Sequence, residues 1–176
     1  MTDRDPTETI NVDRYGHATI PWSRAHDVLV NEKLGPTTPG VLGTTSPDAR
    51  PHATGIGAQF LDGDLYFTSG PGTRKSRNLA ANPAATLAVR VGGMDLVFDG
   101  DVERVTDLPT LERLAAIYRG GHWPATVDTE ERAFTAPFSA PTAGPPPWYV
   151  YRLVFHSVLG LGLVEPHGAT RWRFAR

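Results

Sequence analysis

Short stretches in which apolar and polar residues alternate make up most of the chain, and glycine or proline separates them. Apolar residues at every second position are typical of strands that bury one face. The pattern predicts strands near residues 41–46, 51–61, 64–69, 84–91, 94–105, 148–164 and 170–174. Asp62-Gly63 is a two-residue hairpin signal. Gly100, in the middle of a strand, predicts a bulge or a barrel corner.

Helical spacing is confined to three segments. The first follows Pro21 and is expected to stop at Gly35, since proline favours helix starts and glycine favours helix ends. The second covers residues 73–82, with Thr73 as its N-cap. The third covers residues 107–119 and has an apolar stripe at positions i, i+3, i+4 and i+7.

Two regions lack any periodicity. Residues 1–20 are expected to form a loosely ordered tail, and residues 121–147 a proline-rich loop. A loop of that length is uncommon in a compact domain and is usually functional or mobile, so we expect it to shape a substrate mouth. Residues 21–176 are expected to form a single domain. Many short strands and few helices favour a mainly β fold, a closed antiparallel barrel, over a parallel sheet that needs a helix after nearly every strand.

Composition excludes several classes of function. The 176 residues include no cysteine, which excludes disulfides and thiolate chemistry. The six histidines are scattered without metal-ligand spacing, so no metal site is expected. A net charge of −2 gives no field that would attract nucleic acid. The chain shows neither a signal peptide nor an apolar run of the ~20 residues that span a membrane, so a cytoplasmic location without membrane contact is expected.

The segment TSGPGTRKSRNLAANP, residues 68–83, places three cations in the first turn of the second helix: Arg74, Lys75 and Arg77. A helix N-terminus carries about half a positive charge, so cations there are repelled. A bound anion would remove this conflict, because the backbone N–H groups of a helix start already favour phosphate. The alternative is a solvated basic turn that costs a few tenths of a kcal/mol per residue.

The order strand, Asp-Gly hairpin, LYFTS, TRKSRNLAANP and strand resembles the pyridoxamine 5′-phosphate oxidase-like superfamily. The matching residues are Phe67-Thr68, Thr73-Arg74-Lys75, Asn78-Leu79 and Asn82-Pro83. The resemblance covers roughly residues 25–105 and 149–176. It implies a split barrel, an antiparallel Greek-key barrel that binds FMN or a deazaflavin.

The resemblance also implies which residues contact the cofactor. Arg74 and Lys75 match the phosphate ligands, and residues 51–54 match a strand whose backbone lies along the flavin ring. Two roles are open for Trp172: it lies near the flavin ring, reaching a partner subunit, or it fills the end of the barrel. The complete set of expected cofactor contacts is Pro51, His52, Ala53, Thr54, Thr68, Ser69, Thr73, Arg74, Lys75, Asn78 and Trp172.

Three hypotheses about function remain open on the sequence. The first is an oxidoreductase that uses FMN, or alternatively the deazaflavin coenzyme F-420, for hydride transfer on a small organic substrate. It would be a homodimer with shared cofactor sites, and no side chain stands out as its catalytic acid or base. The second is a non-catalytic protein that binds or carries a flavin, deazaflavin or haem on the same fold. The third is a barrel without a cofactor.

Overall fold

A computed structural model of the protein describes residues 4–32, 34 and 38–175. Three helices are present in this part of the chain: α1 (Trp22–Asn31), α2 (Arg74–Ala81) and α3 (Leu108–Gly120). The strands are β1 (Glu8–Asn11), β2 (Pro39–Thr45), β3 (Pro51–Leu61), β4 (Asp64–Ser69), β5 (Ala84–Val91), β6 (Met94–Arg104), β7 (Thr126–Asp128), β8 (Ala133–Thr135), β9 (Tyr149–Gly162) and β10 (Gly168–Arg173). The expected helix stop at Gly35 lies outside the described residues.

Antiparallel pairing closes six strands into a barrel. The main sheet has the order β1-β10-β9-β4-β3-β2-β5-β6, and an additional pairing of its last strand β6 with β9 closes the six strands from β9 to β6. The long strand β9 makes this possible, because β4, β6 and β10 all pair with it along its 14 residues. The mainly β, split-barrel fold expected from the sequence is therefore confirmed. None of the described helices is long and apolar enough to cross a membrane.

Gly100 forms the corner that the sequence predicts. The register between β6 and β9 shifts between Asp99 and Gly100. A side chain at Gly100 would collide with the backbone carbonyl of Val154 on β9, so only glycine allows the two strands to approach here. The predicted hairpin turn is also present: Asp62 and Gly63 both adopt left-handed conformations, with φ of 52° and 82°.

The N-terminal segment is more ordered than the sequence indicates. The expectation of a loose tail over residues 1–20 is wrong for residues 8–11, because β1 pairs with β10 along its whole length. Arg4 reaches further and contacts the buried carboxylate of Asp64, with 2.6 Å between Nη2 and Oδ1. The alternating pattern of this segment is too short and too polar to indicate a strand. Pairing with β10 supplies the backbone hydrogen bonds that fix residues 8–11 as a strand.

The region 121–147 also contains structure that the sequence did not reveal. Residues 126–135 form a hairpin of β7 and β8. Its strands have three residues each, which is too short for a periodic signal. Phe134 on β8 is fully buried and packs against Tyr118 of α3 and against Trp123. A second hydrophobic cluster outside the barrel thus supports the loop of residues 136–147.

Candidate functional site

Hydrogen bonds of three hydroxyl side chains hold the start of α2 in place. Thr73 is extended, with φ of −75° and ψ of 156°, and its Oγ1 accepts a hydrogen bond from the backbone N of Ser76 at 3.3 Å. Ser69, at the end of β4, holds the same two residues: its Oγ lies 2.7 Å from Thr73 Oγ1 and accepts from Ser76 Oγ at 2.9 Å. The predicted N-cap at Thr73 is confirmed. The network fixes the loop of residues 70–73 to the end of the barrel.

This loop forms one wall of a cavity of about 520 Å³, called here the anion cavity. The opposite wall is the backbone and side chains of residues 142–146, and β3 contributes His52 and Thr54. The loop side of the cavity consists of Gly70, Pro71, Gly72, Thr73, Arg74 and Lys75. Two of the three cations that appeared misplaced in the sequence, Arg74 and Lys75, therefore line a space large enough for a ligand.

Lys75 is half-buried in the anion cavity without a counter-ion. Burial lowers the pKa of its ammonium group, because a desolvated charge is unfavourable when nothing compensates it. Neither Lys75 nor Arg74 forms an ion pair with any carboxylate in the described part of the chain. Two neighbouring cations at a helix N-terminus, one of them partly desolvated, fit an anionic ligand such as a phosphate.

The other basic residues of this region are directed elsewhere. Arg77 donates a hydrogen bond to the carbonyl of Gly72 in its own loop. Arg50 is exposed and lies 3.2 Å from the carboxylate of Asp48. Of the three cations in the first turn of α2, only Arg74 and Lys75 line the cavity. The charge available to a ligand is therefore concentrated at one end of the cavity.

The loop of residues 136–147 is fastened by two indole groups. Trp148 Nε1 donates to the carbonyl of Gly144 at 3.2 Å, and Trp123 Nε1 donates to the carbonyl of Phe138 at 2.6 Å. Gly70 lies so close to this loop that a side chain there would collide with the carbonyl of Ala143. Residues 142–146 of this loop therefore form a wall of the anion cavity beside the helix start, and the expected role of the loop at a substrate mouth stays a prediction.

Gly70→Ala is expected to lower the affinity for a phosphate-bearing ligand, since the new methyl group must displace the loop at Ala143. A misplaced wall of this kind costs several-fold in affinity, about threefold to tenfold. Gly72→Ala is the matched control, because its methyl group would meet nothing within 4 Å. Titration of FMN into both variants checks the expectation. Equal affinities in the two variants would contradict it.

A second cavity of about 740 Å³, called here the strand cavity, adjoins the first at His52. It is lined by residues of five barrel strands, β2, β3, β5, β6 and β9, and Pro51 and Ala53 are among them. Its remaining lining residues are Gly43, Thr44, Thr45, Ala84, Ala85, Thr86, Asp99, Gly100, Asp101 and His156. His156 is half-buried here. The small residues of β2 and β3 give this cavity a flat side.

The expected cofactor contacts divide into three groups. His52, Thr54, Thr73, Arg74 and Lys75 line the anion cavity, and Pro51, Ala53 and again His52 line the strand cavity. Thr68 and Ser69 lie at the end of β4 below the loop and line neither cavity. Ser69 is buried and acts through its hydrogen bonds to Thr73 and Ser76.

Asn78 and Trp172 are placed differently from the sequence prediction. Asn78 is buried, and its Nδ2 donates to Thr44 Oγ1 at 3.0 Å, so it fastens α2 to β2 instead of facing a ligand. Trp172 is completely buried in the barrel core against Trp22, with ring centroids 5.4 Å apart. Its side chain is shielded from both cavities by this packing. Of the two roles considered for Trp172, the structure supports the core residue.

Sequence reasoning did not identify residues 142–146 or Gly70 as parts of the cavity wall. The proline-rich composition marked the loop as important, but its position depends on the hairpin and the aromatic cluster beneath it. Gly70 could be noticed only as part of the Gly-Pro-Gly turn before Thr73. No group of three or more potential metal ligands occurs in the described ranges.

Three solved structures that share this fold come from proteins with different descriptions. A pyridoxamine 5′-phosphate oxidase-related, FMN-binding protein from Nostoc punctiforme PCC 73102 is 20% identical, with a TM-score of 0.56 and coverage of 90% of this chain and 93% of that one. A nimc/nima family protein from Clostridium acetobutylicum is 14% identical (TM-score 0.55, coverage 85% and 91%). A heme binding protein from Mycobacterium smegmatis is 17% identical (TM-score 0.54, coverage 75% and 52%). These likenesses show the fold. The comparison with curated protein sequences gives no match.

The closed barrel of six antiparallel strands, with the three helices of the described part of the chain, defines the class of split barrels. Residues 30–138 match the family described as Pyridoxamine 5'-phosphate oxidase. The chain belongs to this family.

Proposed function

We propose that the protein is an FMN-dependent oxidoreductase that transfers hydride to or from a small organic substrate. The observation that carries the proposal is the half-buried and unpaired ammonium group of Lys75, next to Arg74 at the capped start of α2. A terminal phosphate would satisfy both cations and the free N–H groups of the helix. The neighbouring strand cavity supplies space for the rest of the cofactor and for a substrate.

FMN fits the distribution of charge better than coenzyme F-420. FMN ends in a phosphate monoester, which carries about −1.5 to −2 charges at pH 7 and concentrates them in one group. F-420 has a phosphodiester and an acidic glutamyl tail, which favour a longer basic groove. Arg50 and Arg77, which could extend such a groove, are engaged with Asp48 and with the carbonyl of Gly72. The compact pair of Arg74 and Lys75 therefore supports FMN.

The chain would contribute binding, orientation and exclusion of water. When bound, the flavin supplies the hydride chemistry, as is general for cofactor enzymes. Arg74 and Lys75 would hold the phosphate, while residues 142–146 cover it from the opposite side. The flat side formed by Gly43 and Ala53 would support a planar group. Asp99 and Asp101 at the far end of the strand cavity favour substrates that carry a hydrogen-bond donor or a positive charge.

The proposed assembly is a homodimer in which each site is lined by both chains. The outer face of the barrel supports this proposal, because Val41 on β2 is 49% exposed and Leu161 on β9 is 37% exposed. Exposed apolar side chains such as these are ones that a second copy related by a two-fold axis could cover. Light scattering of the FMN-loaded protein at micromolar concentration is expected to give twice the mass of one chain.

Titration of the purified protein with FMN, F-420 and haem tests the function, because the three absorb visible light differently. FMN is expected to bind the most tightly and, once reduced, to be reoxidised faster in the presence of a suitable organic acceptor. Tight FMN binding without turnover across a panel of acceptors would instead support the non-catalytic carrier. Failure to bind any of the three would contradict both proposals.

A further inference from the structure

We infer that His52 is a third ligand of the bound phosphate and makes the site selective for phosphate monoesters over phosphodiesters. The inference rests on the proposed phosphate site at Arg74 and Lys75, but it assigns a separate role to the His52 side chain. The family resemblance implied a contact between the backbone of β3 and the flavin ring, and no role for the His52 side chain in phosphate binding.

The position of His52 provides the first argument. It lies on β3 opposite Thr44 of β2, and it lines both the anion cavity and the strand cavity. Its Nδ1 is buried without a hydrogen-bond partner. No hydrogen bond to either ring nitrogen is formed within the described part of the protein. Nδ1 is thus closed off by the protein, and Nε2, which is not buried, is the nitrogen that a ligand in the anion cavity could reach. Arg74 and Lys75 are close enough to act on the charge of the ring.

The charges around His52 provide the second argument. Burial, Arg74 and Lys75 together lower the pKa of the ring, because two cations disfavour a third. The other charged groups along the two cavities are Asp99 and Asp101 on β6 and His156 on β9. The wall of residues 142–146 contains no titratable side chain. In the ligand-free protein the nearest charges on the phosphate side are thus both positive.

Binding of a dianion reverses this balance. The negative charge between Arg74 and Lys75 cancels their repulsion of a protonated His52, so the pKa of the ring rises on binding. A ring that gains basicity on binding takes up a proton, and the affinity for the dianion must then increase as the pH falls from the pKa of the bound ring to the lower pKa of the free ring. The protonated ring donates a charge-assisted hydrogen bond to a terminal phosphate oxygen.

Selectivity follows from the number of ligands. A monoester offers three terminal oxygens and about −1.5 to −2 charges, which three donors can share. A diester has one negative charge and two terminal oxygens, which Arg74 and Lys75 alone can satisfy. The gain from His52 is therefore larger for a monoester than for a diester. This difference, unlike overall affinity, is not moved by a purely structural role of His52.

Methyl phosphate and dimethyl phosphate test the selectivity, since they differ by a single ester group. Their dissociation constants are measured by NMR titration with the parent protein, His52→Gln and the control His122→Asn, which changes an exposed histidine outside both cavities. The parent and the control are expected to prefer the monoester by about tenfold or more, and His52→Gln to reduce that ratio by about threefold to tenfold. An unchanged ratio in His52→Gln overturns the inference.

Sulfate tests the proton linkage, because it remains a dianion while phosphate esters titrate near pH 6. For the parent, sulfate affinity is expected to rise at least about threefold between about pH 8 and pH 5.5, and the Cε1–H signal of His52 to titrate at higher pH when sulfate is bound. His52→Gln should lose most of the pH dependence. A pKa of His52 that is the same with and without bound sulfate overturns the inference.

Lys75→Ala separates the two proposals. If Lys75→Ala weakens methyl phosphate binding while His52→Gln leaves the selectivity unchanged, the phosphate site stands and the role of His52 fails. If Lys75→Ala binds methyl phosphate as tightly as the parent, or the parent binds neither ester, the phosphate site and the inference about His52 both fail.

Discussion

Simultaneous replacement of Arg74 and Lys75 by alanine is expected to weaken FMN binding by about a hundredfold or more. Each charged hydrogen bond to a phosphate contributes about 1.5–3 kcal/mol, which corresponds to roughly tenfold or more per residue. Lys75→Ala alone is expected to cost about tenfold on the same scale. Fluorescence titration of FMN measures the change.

The same double variant is expected to unfold no more easily than the parent when FMN is absent. The two cations oppose the helix dipole, and burial of Lys75 further disfavours its charge. Their removal should leave the apparent melting temperature unchanged or slightly higher. Arg90→Ala is the matched control, because Arg90 is exposed and pairs with Asp95 on the β5–β6 hairpin. Equal FMN affinity in the double variant and this control would exclude the helix start as the phosphate site.

Trp172→Ala is expected to destabilise the protein by about 3–5 kcal/mol, the usual cost of removing a large aromatic side chain from a core. Trp172 is completely buried, and it lies in edge-to-face contact with Trp22. Gly160 makes room for it, since a side chain there would approach the Trp172 ring to 2.5 Å. Urea unfolding measures the loss.

Trp172→Phe distinguishes this core role from a contact with the cofactor. Phenylalanine keeps most of the apolar volume and removes the indole N–H, which has no partner among the described residues. The variant is expected to retain the FMN affinity of the parent and to lose much less stability than Trp172→Ala. A large loss of FMN affinity with unchanged stability would restore Trp172 to the cofactor site.

The strands and turns of the barrel show which features the local sequence is sufficient to predict. Alternation of apolar residues gave β3, β4, β5, β6 and β9 close to their observed bounds. Asp62-Gly63 gave the hairpin turn, because few residues other than glycine, asparagine and aspartate adopt the required left-handed conformation. The cap at Thr73 was equally visible, since the hydrogen bond that it makes joins residues three apart. Such features depend on neighbours in the chain.

The two walls of the anion cavity differ in how far the local sequence predicts them. The basic helix start was apparent from a local conflict between charge and dipole, so the sequence by itself was enough to predict an anion site near Arg74 and Lys75. The opposing wall at residues 142–146 and the burial of Lys75 arise from segments nearly 70 positions apart, which meet only after α3 and the aromatic cluster have packed. Likewise, Trp172 and Asn78 have side chains suited to a ligand as well as to a core. Only the packing around them decided the outcome, because burial depends on which distant residues cover a side chain and not on the side chain itself.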